Sequence, residues 1–370
     1  MIYMNRIFIN CFILVLLTGC SSSSSKKEIA LQTLQHETIE IPDMLLGAPG
    51  GIQKLGNGLL IMDYKSDSIF HYVNLKHKKY EGQFGRKGQG PDEFIHLTSL
   101  QPYSDKVVCG YDIMKREIKK IELDSLNNRV KGSTWKKWTD KWIFDVTPYK
   151  HNQFVGNGCF NDLMFAVFNS QGTPIDTDGE YPYKDEDEKN IPVLNRALAY
   201  QGIMRVTPKG RLAFATMCAK MLFLYEIRDN HLVQHKVVID RYADYKVDHS
   251  GGKASYSVSH NGNLPVCYRD LSVTESRIYA LYSGRSFKEY GLAEWECSYI
   301  YIYDWEGNQQ ALYQLDLPLL CFCVDEQSGF IYGIANNPEP TLVCFPLPLV
   351  CIKLKNQQTQ TGISRKQSQI

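Results

Sequence analysis

The sequence predicts an all-β chain folded as a six-bladed β-propeller of four-stranded antiparallel sheets. Aromatic residues make up 12% of the 370 residues, led by 23 tyrosines and 16 phenylalanines, and these side chains favour the pleated surface of strands. Helical periodicity is scarce after the first twenty residues. Instead, short apolar runs occur in pairs, six times along the chain, at intervals of roughly 45 to 65 residues.

Each pair consists of one β-prone run, a short polar connection and a second run. The first runs are Leu59–Asp63, Lys106–Asp112, Gln153–Gly156, Arg211–Ala215, Arg277–Tyr282 and Phe330–Ile334, and the second runs are Ser68–Tyr72, Glu117–Ile121, Leu163–Val167, Leu222–Tyr225, Tyr299–Tyr303 and Thr341–Phe345. Paired strands of this period, separated by turns, are typical of propeller blades. One or two β-sandwiches are the alternative architecture, since they also contain many short strands.

The predicted propeller spans residues 38–350. Its first segment, Thr38–Ile41, alternates polar and apolar residues and is predicted to pair with the last blade. Such an N-terminal strand closes the ring and removes an exposed sheet edge. Thr173–Asn190 and Tyr242–Leu264 are predicted to be surface loops because they are rich in polar and turn-forming residues. The glutamine-rich residues 351–370 are predicted to be a disordered tail.

Residues 1–19 are predicted to be an export signal. Arg6 precedes the apolar stretch Ile7–Leu17, which is too short to span a bilayer as a stable helix. Translation could start at Met1 or at Met4, and the prediction is the same for both.

The four residues that begin at the end of the apolar stretch, Leu17-Thr18-Gly19-Cys20, resemble the lipobox of bacterial lipoproteins. This resemblance implies cleavage before Cys20 and attachment of lipid to its thiol, so that residues 20–37 form a lipidated, flexible tether to the bilayer. Several acyl chains hold a protein to a membrane far better than one. An uncleaved anchor with an incidental cysteine is the alternative.

The charge balance and the cysteines limit the possible partners. Lys and Arg number 41 against 40 for Asp and Glu, so no excess of positive charge indicates nucleic-acid binding. After removal of Cys11 and lipidation of Cys20, an odd number of cysteines remains in an oxidising compartment. Cys109, Cys159, Cys218 and Cys344 are expected to be free thiols buried in strands. The pair Cys321 and Cys323 lacks a second pair at zinc spacing, so neither a metal nor another cofactor is predicted.

One glycine-rich segment, Gly85–Phe94, invites a functional interpretation. Its glycines and basic residues could surround a phosphate, but the Gly-Lys-Ser/Thr ending of a phosphate-binding loop is absent. We predict a structural connection between blades, in which the glycines adopt positive φ and the proline restricts the turn. The residues of this structural motif are Gly85, Arg86, Gly88, Gly90, Pro91, Glu93 and Phe94.

The remaining candidate sites are weak. The acidic run Asp185–Glu188 lacks the ligand spacing of a calcium-binding EF-hand. His249 and His260 lack a nearby Glu or Cys at metal spacing. No Gly-x-Ser-x-Gly nucleophile motif occurs. The sequence therefore identifies no catalytic or metal-binding residue.

The segment Gly85–Phe94 resembles the G-R-x-G-x-G-P-x-E-F signature that follows the first blade in TolB-like six-bladed β-propeller lipoproteins of Bacteroidetes-type bacteria. Tyr303–Asn308 and Val324–Glu326 resemble parts of the last two blades of the same family. The resemblance implies the propeller fold and a place in the cell envelope as an outer-membrane lipoprotein. It implies no reaction, and it leaves open whether the protein faces the periplasm or the cell surface.

Two classes of function stay open. The first is a binding or scaffold module for a glycan, peptide or protein partner, and the alternative is a propeller hydrolase or lyase acting on a polymeric substrate. Carboxylates grouped at the mouth of the central channel would favour the enzyme. Aromatic side chains with scattered polar groups would favour binding.

Overall fold

The computed structural model describes residues 29–124, 129–140, 142–150, 152–248 and 256–348. Residues 1–28, with the predicted signal and Cys20, and residues 349–370, with the whole predicted tail, lie outside the described residues. No helix in the described ranges is long and apolar enough to cross a membrane. Strands dominate, as the sequence predicts, and they begin earlier than expected, inside the predicted tether, with β1 (Leu31–Leu34) and β2 (Glu37–Thr38).

Blades 1 to 4 are separate four-stranded antiparallel sheets, each with its strands adjacent in chain order. Blade 1 consists of β3 (Pro49–Leu55), β4 (Gly58–Asp63), β5 (Ser68–Asn74) and β6 (Lys79–Arg86), and blade 2 consists of β7 (Gln101–Ser104), β8 (Val107–Asp112), β9 (Glu117–Asp124) and β10 (Arg129–Lys137). Blade 3 consists of β11 (Ile143–Lys150), β12 (Gln153–Phe160), β13 (Leu163–Phe168) and β14 (Pro174–Glu180). Helices α1 (Glu186–Lys189) and α2 (Val193–Ala199) follow, and blade 4 then consists of β15 (Gly202–Val206), β16 (Arg211–Thr216), β17 (Lys220–Arg228) and β18 (His231–Arg241).

Blades 5 and 6 form one continuous sheet because they share a long strand. A small hairpin precedes them, and the elements in chain order are β19 (Tyr245–Val247), β20 (Val258–His260), β21 (Tyr268–Val273), β22 (Ile278–Tyr282), α3 (Phe287–Tyr290), a 3-10 helix (Gly291–Trp295), β23 (Cys297–Tyr303), β24 (Gln309–Asp325), β25 (Phe330–Asn336) and β26 (Pro340–Pro346). The first part of β24 pairs with β23 and its second part pairs with β25, with Leu319 in both registers. One strand is therefore the outer strand of blade 5 and the inner strand of blade 6.

The N-terminal segment closes the ring. β2 pairs antiparallel with β26, and the Ile39 amide donates to the Leu342 carbonyl at 2.9 Å. The closing strand thus comes slightly earlier than the predicted Thr38–Ile41, because Pro42 follows Ile41 and a proline cannot donate to a strand ladder. β1 adds a parallel strand to the first part of β24. Each inner strand contacts the next around the ring, and β24 returns to β3.

The core lies between blades rather than in one central layer. Leu60 and Phe70 of blade 1, for example, belong to one apolar cluster with Val108 and Ile121 of blade 2. The middle strands are the most buried, and every residue of β4 is buried. Burying each such side chain contributes roughly 1.5–3 kcal/mol relative to exposure. The middle strands are also the ones that the paired apolar runs predict.

Blades 1 and 2 each have an aspartate at the end of their second strand, Asp63 in β4 and Asp112 in β8. Asp63 accepts hydrogen bonds from the amides of Gly47, Ala48 and Lys65 at 2.6–2.9 Å. Asp112 likewise accepts from the amide of Ile95 at 2.7 Å. Burial acts to raise the pKa of Asp63, but the amide donors prevail and lower it to about 2. Both aspartates hold the chain segment that enters their own blade.

The long connections all lie at the same end of the strands. Successive strands are antiparallel, so the turn between the second and third strands of a blade and the passage to the next blade share one end. The connections 87–100, 181–201, 242–267 and 283–296 are of these two kinds. We call this end the insertion face. The loops predicted at residues 173–190 and 242–264 are partly wrong, because β14, an exposed outer strand, occupies 174–180 and the hairpin β19–β20 lies within 242–264.

Candidate functional site

A ring of polar contacts joins the inner strands of the propeller. Gln101 of blade 2 donates from Nε2 to the Met204 carbonyl at 3.1 Å and accepts from the Val206 amide at 3.2 Å. Blade 2 and blade 4 are not neighbours, so this side chain crosses the inner face of blade 3. Gln101 is only 2% exposed. Gln101 therefore links the inner strands of two blades that are not adjacent.

Two carboxylates belong to the same ring. Ser99 donates its hydroxyl to Asp145 at 3.0 Å, and Arg205 donates to Asp270 at 2.6 Å. The Phe322 amide of blade 6 donates to the second Asp270 oxygen at 3.3 Å. These contacts join blades 2 to 6, and the ion pair between Lys54 and Asp325 joins blade 6 to blade 1.

Burial dominates the electrostatics of this ring. Burial raises the pKa of Asp145 to about 6, although Arg205 and the two hydroxyls of Ser99 and Thr98 act to lower it. Burial also raises the pKa of Asp270, again opposed by Arg205. Asp145 and Asp270 already accept hydrogen bonds from the protein. The main role of the ring is therefore to connect the blades.

The glycine-rich motif lies on the insertion face and is held by blade 2. Lys115 donates to the carbonyls of Gly90 and Glu93 at 2.5 and 3.0 Å. Lys119, which is fully buried, donates to the Pro91 carbonyl at 2.9 Å and lies over the Phe94 ring. The motif backbone therefore accepts hydrogen bonds from two lysine side chains of the next blade.

The motif glycines differ in their backbone. Gly85 and Gly88 have φ of 77° and 153°, where a β-carbon is strained. Gly90 is not among the glycines with positive φ, so that part of the prediction is wrong. Its amide donates to the Glu93 carboxylate at 2.8 Å, and this contact shapes the turn. Arg86 ends β6, where it pairs in register with Ser68.

The insertion face also carries a recess between blades 4 and 5. It has a volume of about 280 Å³ and mostly apolar walls. We call it the Trp295 recess, and its lining includes Asp244, His260, Leu264, Phe287, Glu294 and Trp295. All of its lining residues except Cys218, which lies in the turn between β16 and β17, come from the connection that carries β19 and β20 or from the connection that carries α3. Two insertions thus meet to form it.

Hydrogen bonds hold the two insertions together. The Lys288 amide donates to the Gly262 carbonyl at 3.0 Å, and the Val266 amide donates to the Arg285 carbonyl at 2.9 Å. Arg285 also donates to Glu296 at 2.7 Å. On the other side, the Arg269 guanidinium lies 4.4 Å from the centre of the Trp295 ring. The recess is therefore formed before any ligand binds.

The other sequence-predicted residues are scattered. His260 lies on β20, where its Nε2 is 3.0 Å from the Ala199 carbonyl, and His249 is outside the described residues. In the acidic run, Asp185 accepts from the Glu188 amide and caps α1. Within the described ranges, no group of three His, Cys, Asp or Glu could hold a metal ion.

The cysteines of the described ranges are free thiols. Cys109 and Cys344 are buried in strands, as predicted. Cys159 is only half-buried, and Cys218 is half-buried in a turn beside the Trp295 recess rather than in a strand, so those two predictions are wrong in part. Cys321 and Cys323 are both buried in β24.

Exposed apolar side chains concentrate on the insertion face. Among the described residues, nine large apolar side chains are exposed, and six of them lie on insertion-face connections: Leu45, Met114, Tyr256, Phe287, Tyr290 and Leu292. Leu45 and Leu292 are 84% and 82% exposed. Phe287–Trp295 was not identified from the sequence as a candidate site. The segment contains apolar residues without strand alternation and lies between two strong strand runs, which is a signal for a surface element.

These features define a closed β-propeller with one elaborated face. A family model of TolB-like 6-blade propeller-like proteins matches residues 25–327. The chain therefore belongs to the TolB-like six-bladed propeller-like family. No curated protein sequence is significantly similar to it.

Three solved structures are similar to this chain at low sequence identity. A Bacteroides fragilis protein that is named as exported has a TM-score of 0.50 and 15% identity, and the match covers 85% of this chain and 99% of that one. Raptor of Chaetomium thermophilum has a TM-score of 0.48 and 11% identity, over 85% of this chain and 29% of that one. The protein U3-55K has a TM-score of 0.47 and 9% identity, over 84% of this chain and 98% of that one.

Proposed function

We propose that this protein is a lipoprotein of the cell envelope whose insertion face binds a peptide or protein partner. The observation that carries the proposal is the concentration of exposed apolar side chains on that face. Apolar patches rimmed by polar groups mark interaction sites on soluble proteins. The opposite end of the propeller has tight turns, and among the described residues none of its turns carries an exposed large apolar side chain.

A peptide or protein fits this face better than a glycan does. Leu45, Met114 and Leu292 offer aliphatic and thioether surface, which complements apolar side chains rather than sugar hydroxyls. Burial of such surface drives most protein–protein association. A glycan partner would instead depend on the polar groups of the recess.

The membrane anchor rests on the sequence of residues 17–20. The similar Bacteroides fragilis protein is named as exported, which supports export of this chain, and the lipobox-like residues extend that to lipid attachment at Cys20. The outer membrane is the proposed location. Cys20→Ala should move the protein from the membrane fraction to the soluble fraction and abolish incorporation of labelled fatty acid. Label that persists in the variant would contradict the anchor.

A catalytic role has one observation in its favour, the raised pKa of Asp145 near the channel axis. Carboxyl groups with such shifts are candidate acids or bases. However, Asp145 already accepts hydrogen bonds from the hydroxyls of Ser99 and Thr98. Binding at the insertion face is therefore the better-supported function.

The experiment compares two double variants of the full lipoprotein, each isolated with its partners from native membranes. Leu45→Ser with Leu292→Ser removes two aliphatic side chains from the insertion face. Ile175→Ser with Ile239→Ser removes two exposed ones from outer strands of blades 3 and 4. We expect the first pair to lose co-isolated protein and the second to retain it. Equal retention by both pairs would contradict the proposal.

A further inference from the structure

The charged residues that line the Trp295 recess are acidic. Asp244 and Glu294 belong to the lining, and no lysine or arginine does among the described residues. His260 also lines it, with Nε2 beside the Ala199 carbonyl. Two positive groups lie behind the walls: Arg269 against the Trp295 ring, and Arg241, which donates to the Pro265 carbonyl at 2.6 Å. The charged side chains of the lining itself are therefore both carboxylates.

The carboxylates have capacity to accept hydrogen bonds. Within the described ranges, no protein donor reaches the Glu294 carboxylate, and Asp244 accepts only at Oδ2, from Asn261 at 2.8 Å. Burial raises the pKa of Glu294, with Arg269 acting to lower it. A carboxylate partly removed from water and without a donor is stabilised by a positively charged donor.

The aromatic walls favour the same kind of ligand. The Arg269 guanidinium covers part of the Trp295 ring, so the aromatic side chain of the lining that is open to a ligand is Phe287, which is 53% exposed. The negative faces of aromatic rings attract cations and disfavour anions. Aromatic walls and carboxylates together thus favour an organic cation over a neutral or acidic group.

The size and polarity of the recess further restrict the class of ligand that it can bind. A volume of about 280 Å³ holds one side chain rather than a folded segment, and its walls include Leu264 and Val266. The four methylene groups of a lysine suit such apolar walls, while its ammonium reaches the carboxylates. An amino sugar carries several hydroxyls that would need more partners than these two carboxylates provide.

We propose that the Trp295 recess binds the ammonium group of a lysine side chain on the partner. The inference rests on the proposed function, because it places one partner lysine beside the apolar residues Phe287, Tyr290 and Leu292. Binding needs only a non-covalent exchange of water for the ammonium, and no bond is made or broken.

The test measures dissociation constants for three probes by NMR titration of the full-length lipoprotein in detergent micelles. The probes are Nα-acetyl-lysine methylamide, Nα-acetyl-norleucine methylamide, which lacks the amine, and methyl glucosaminide. We expect the lysine probe to bind about tenfold more tightly than the norleucine probe, the factor that one ion-paired hydrogen bond provides. Glu294→Gln should remove that preference. The matched control Glu289→Gln, an exposed carboxylate on α3, should leave it unchanged.

Other outcomes overturn the inference. Equal binding of the lysine and norleucine probes would show a site without charge selectivity. Tighter binding of the glucosaminide would indicate a glycan site, and equal losses in Glu294→Gln and Glu289→Gln would indicate long-range charge alone. If the lysine preference is absent while Leu45→Ser with Leu292→Ser still loses its partner, the recess inference fails and the proposed function stands. If the lysine preference is present while Leu45→Ser with Leu292→Ser keeps its partner, the proposed function is contradicted and the recess still binds the ammonium group.

Discussion

Three glycine-to-alanine variants separate backbone strain from steric overlap in the β6 and motif region. Gly82 has φ of 118°, and a β-carbon there would meet nothing within 4 Å. Gly85 has φ of 77°, and its β-carbon would lie 2.8 Å from Phe70, 2.9 Å from Ile69 and 3.1 Å from Phe94. Gly90 lacks positive φ, and its β-carbon would meet only the Glu93 side chain, at 3.0 Å.

The magnitudes follow from these distances. Left-handed backbone costs an alanine roughly 1–2 kcal/mol, so Gly82→Ala should destabilise the protein by about that amount. Gly85→Ala adds overpacking of a buried aromatic cluster, which costs roughly 1–3 kcal/mol, for a total of about 2–5 kcal/mol. Gly90→Ala should cost about 1 kcal/mol or less, because the Glu93 side chain can move.

Urea-induced unfolding of the purified variants measures these differences as shifts in the free energy of unfolding. Lys87→Ala is the surface control and should change stability by less than about 0.5 kcal/mol, since Lys87 is exposed. A Gly85→Ala variant as stable as Gly82→Ala would refute the packing argument. A Gly90→Ala variant less stable than Gly85→Ala would refute the assignment of strain to the first glycines of the motif.

Two further variants test the buried polar groups. The pKa of Asp145 is about 6, above the ordinary value near 3.9, so this group stabilises the fold below about pH 4 and loses that contribution as the pH rises to 6. The free energy of unfolding of Asp145→Asn, relative to wild type, should therefore increase by up to about 2–3 kcal/mol between pH 4 and pH 7. Urea unfolding at both pH values measures this change, and a difference between variant and wild type that is the same at both would reject the argument. Lys119→Met removes a buried donor to Pro91 and the ion pair to Glu117 and should lower the free energy of unfolding by about 2 kcal/mol, whereas a loss as small as that of Lys87→Ala would show that Lys119 does not hold the motif.

The sequence predicts the middle strands of every blade but few of the edges. The predicted runs Leu59–Asp63 and Ser68–Tyr72 correspond to β4 and β5. Both faces of these two strands pack against neighbouring blades. Outer strands such as β14, with Pro174–Glu180, face solvent and contain acidic residues, so no apolar pattern marks them. Inner strands such as β7 are short and turn polar side chains toward the axis.

The candidate site was harder to predict than the fold. The Trp295 recess combines residues from three separate connections, among them Cys218, His260 and Trp295. No spacing in the sequence brings them together, because their proximity depends on how two long insertions dock. Asp63 and Asp112, by contrast, end two of the predicted apolar runs, Leu59–Asp63 and Lys106–Asp112, but the strand pattern alone assigned no role to their carboxylates.

Site-specific photocrosslinking in living cells tests the central claim, that the insertion face binds the partner. A photoreactive phenylalanine analogue replaces Leu45 or Leu292 on the insertion face, or Lys76 or Lys209 in exposed turns at the opposite end. We predict that irradiation yields a discrete crosslinked protein from positions 45 and 292 and none from positions 76 and 209. Crosslinks to the same protein from positions 76 and 209 alone would contradict the account.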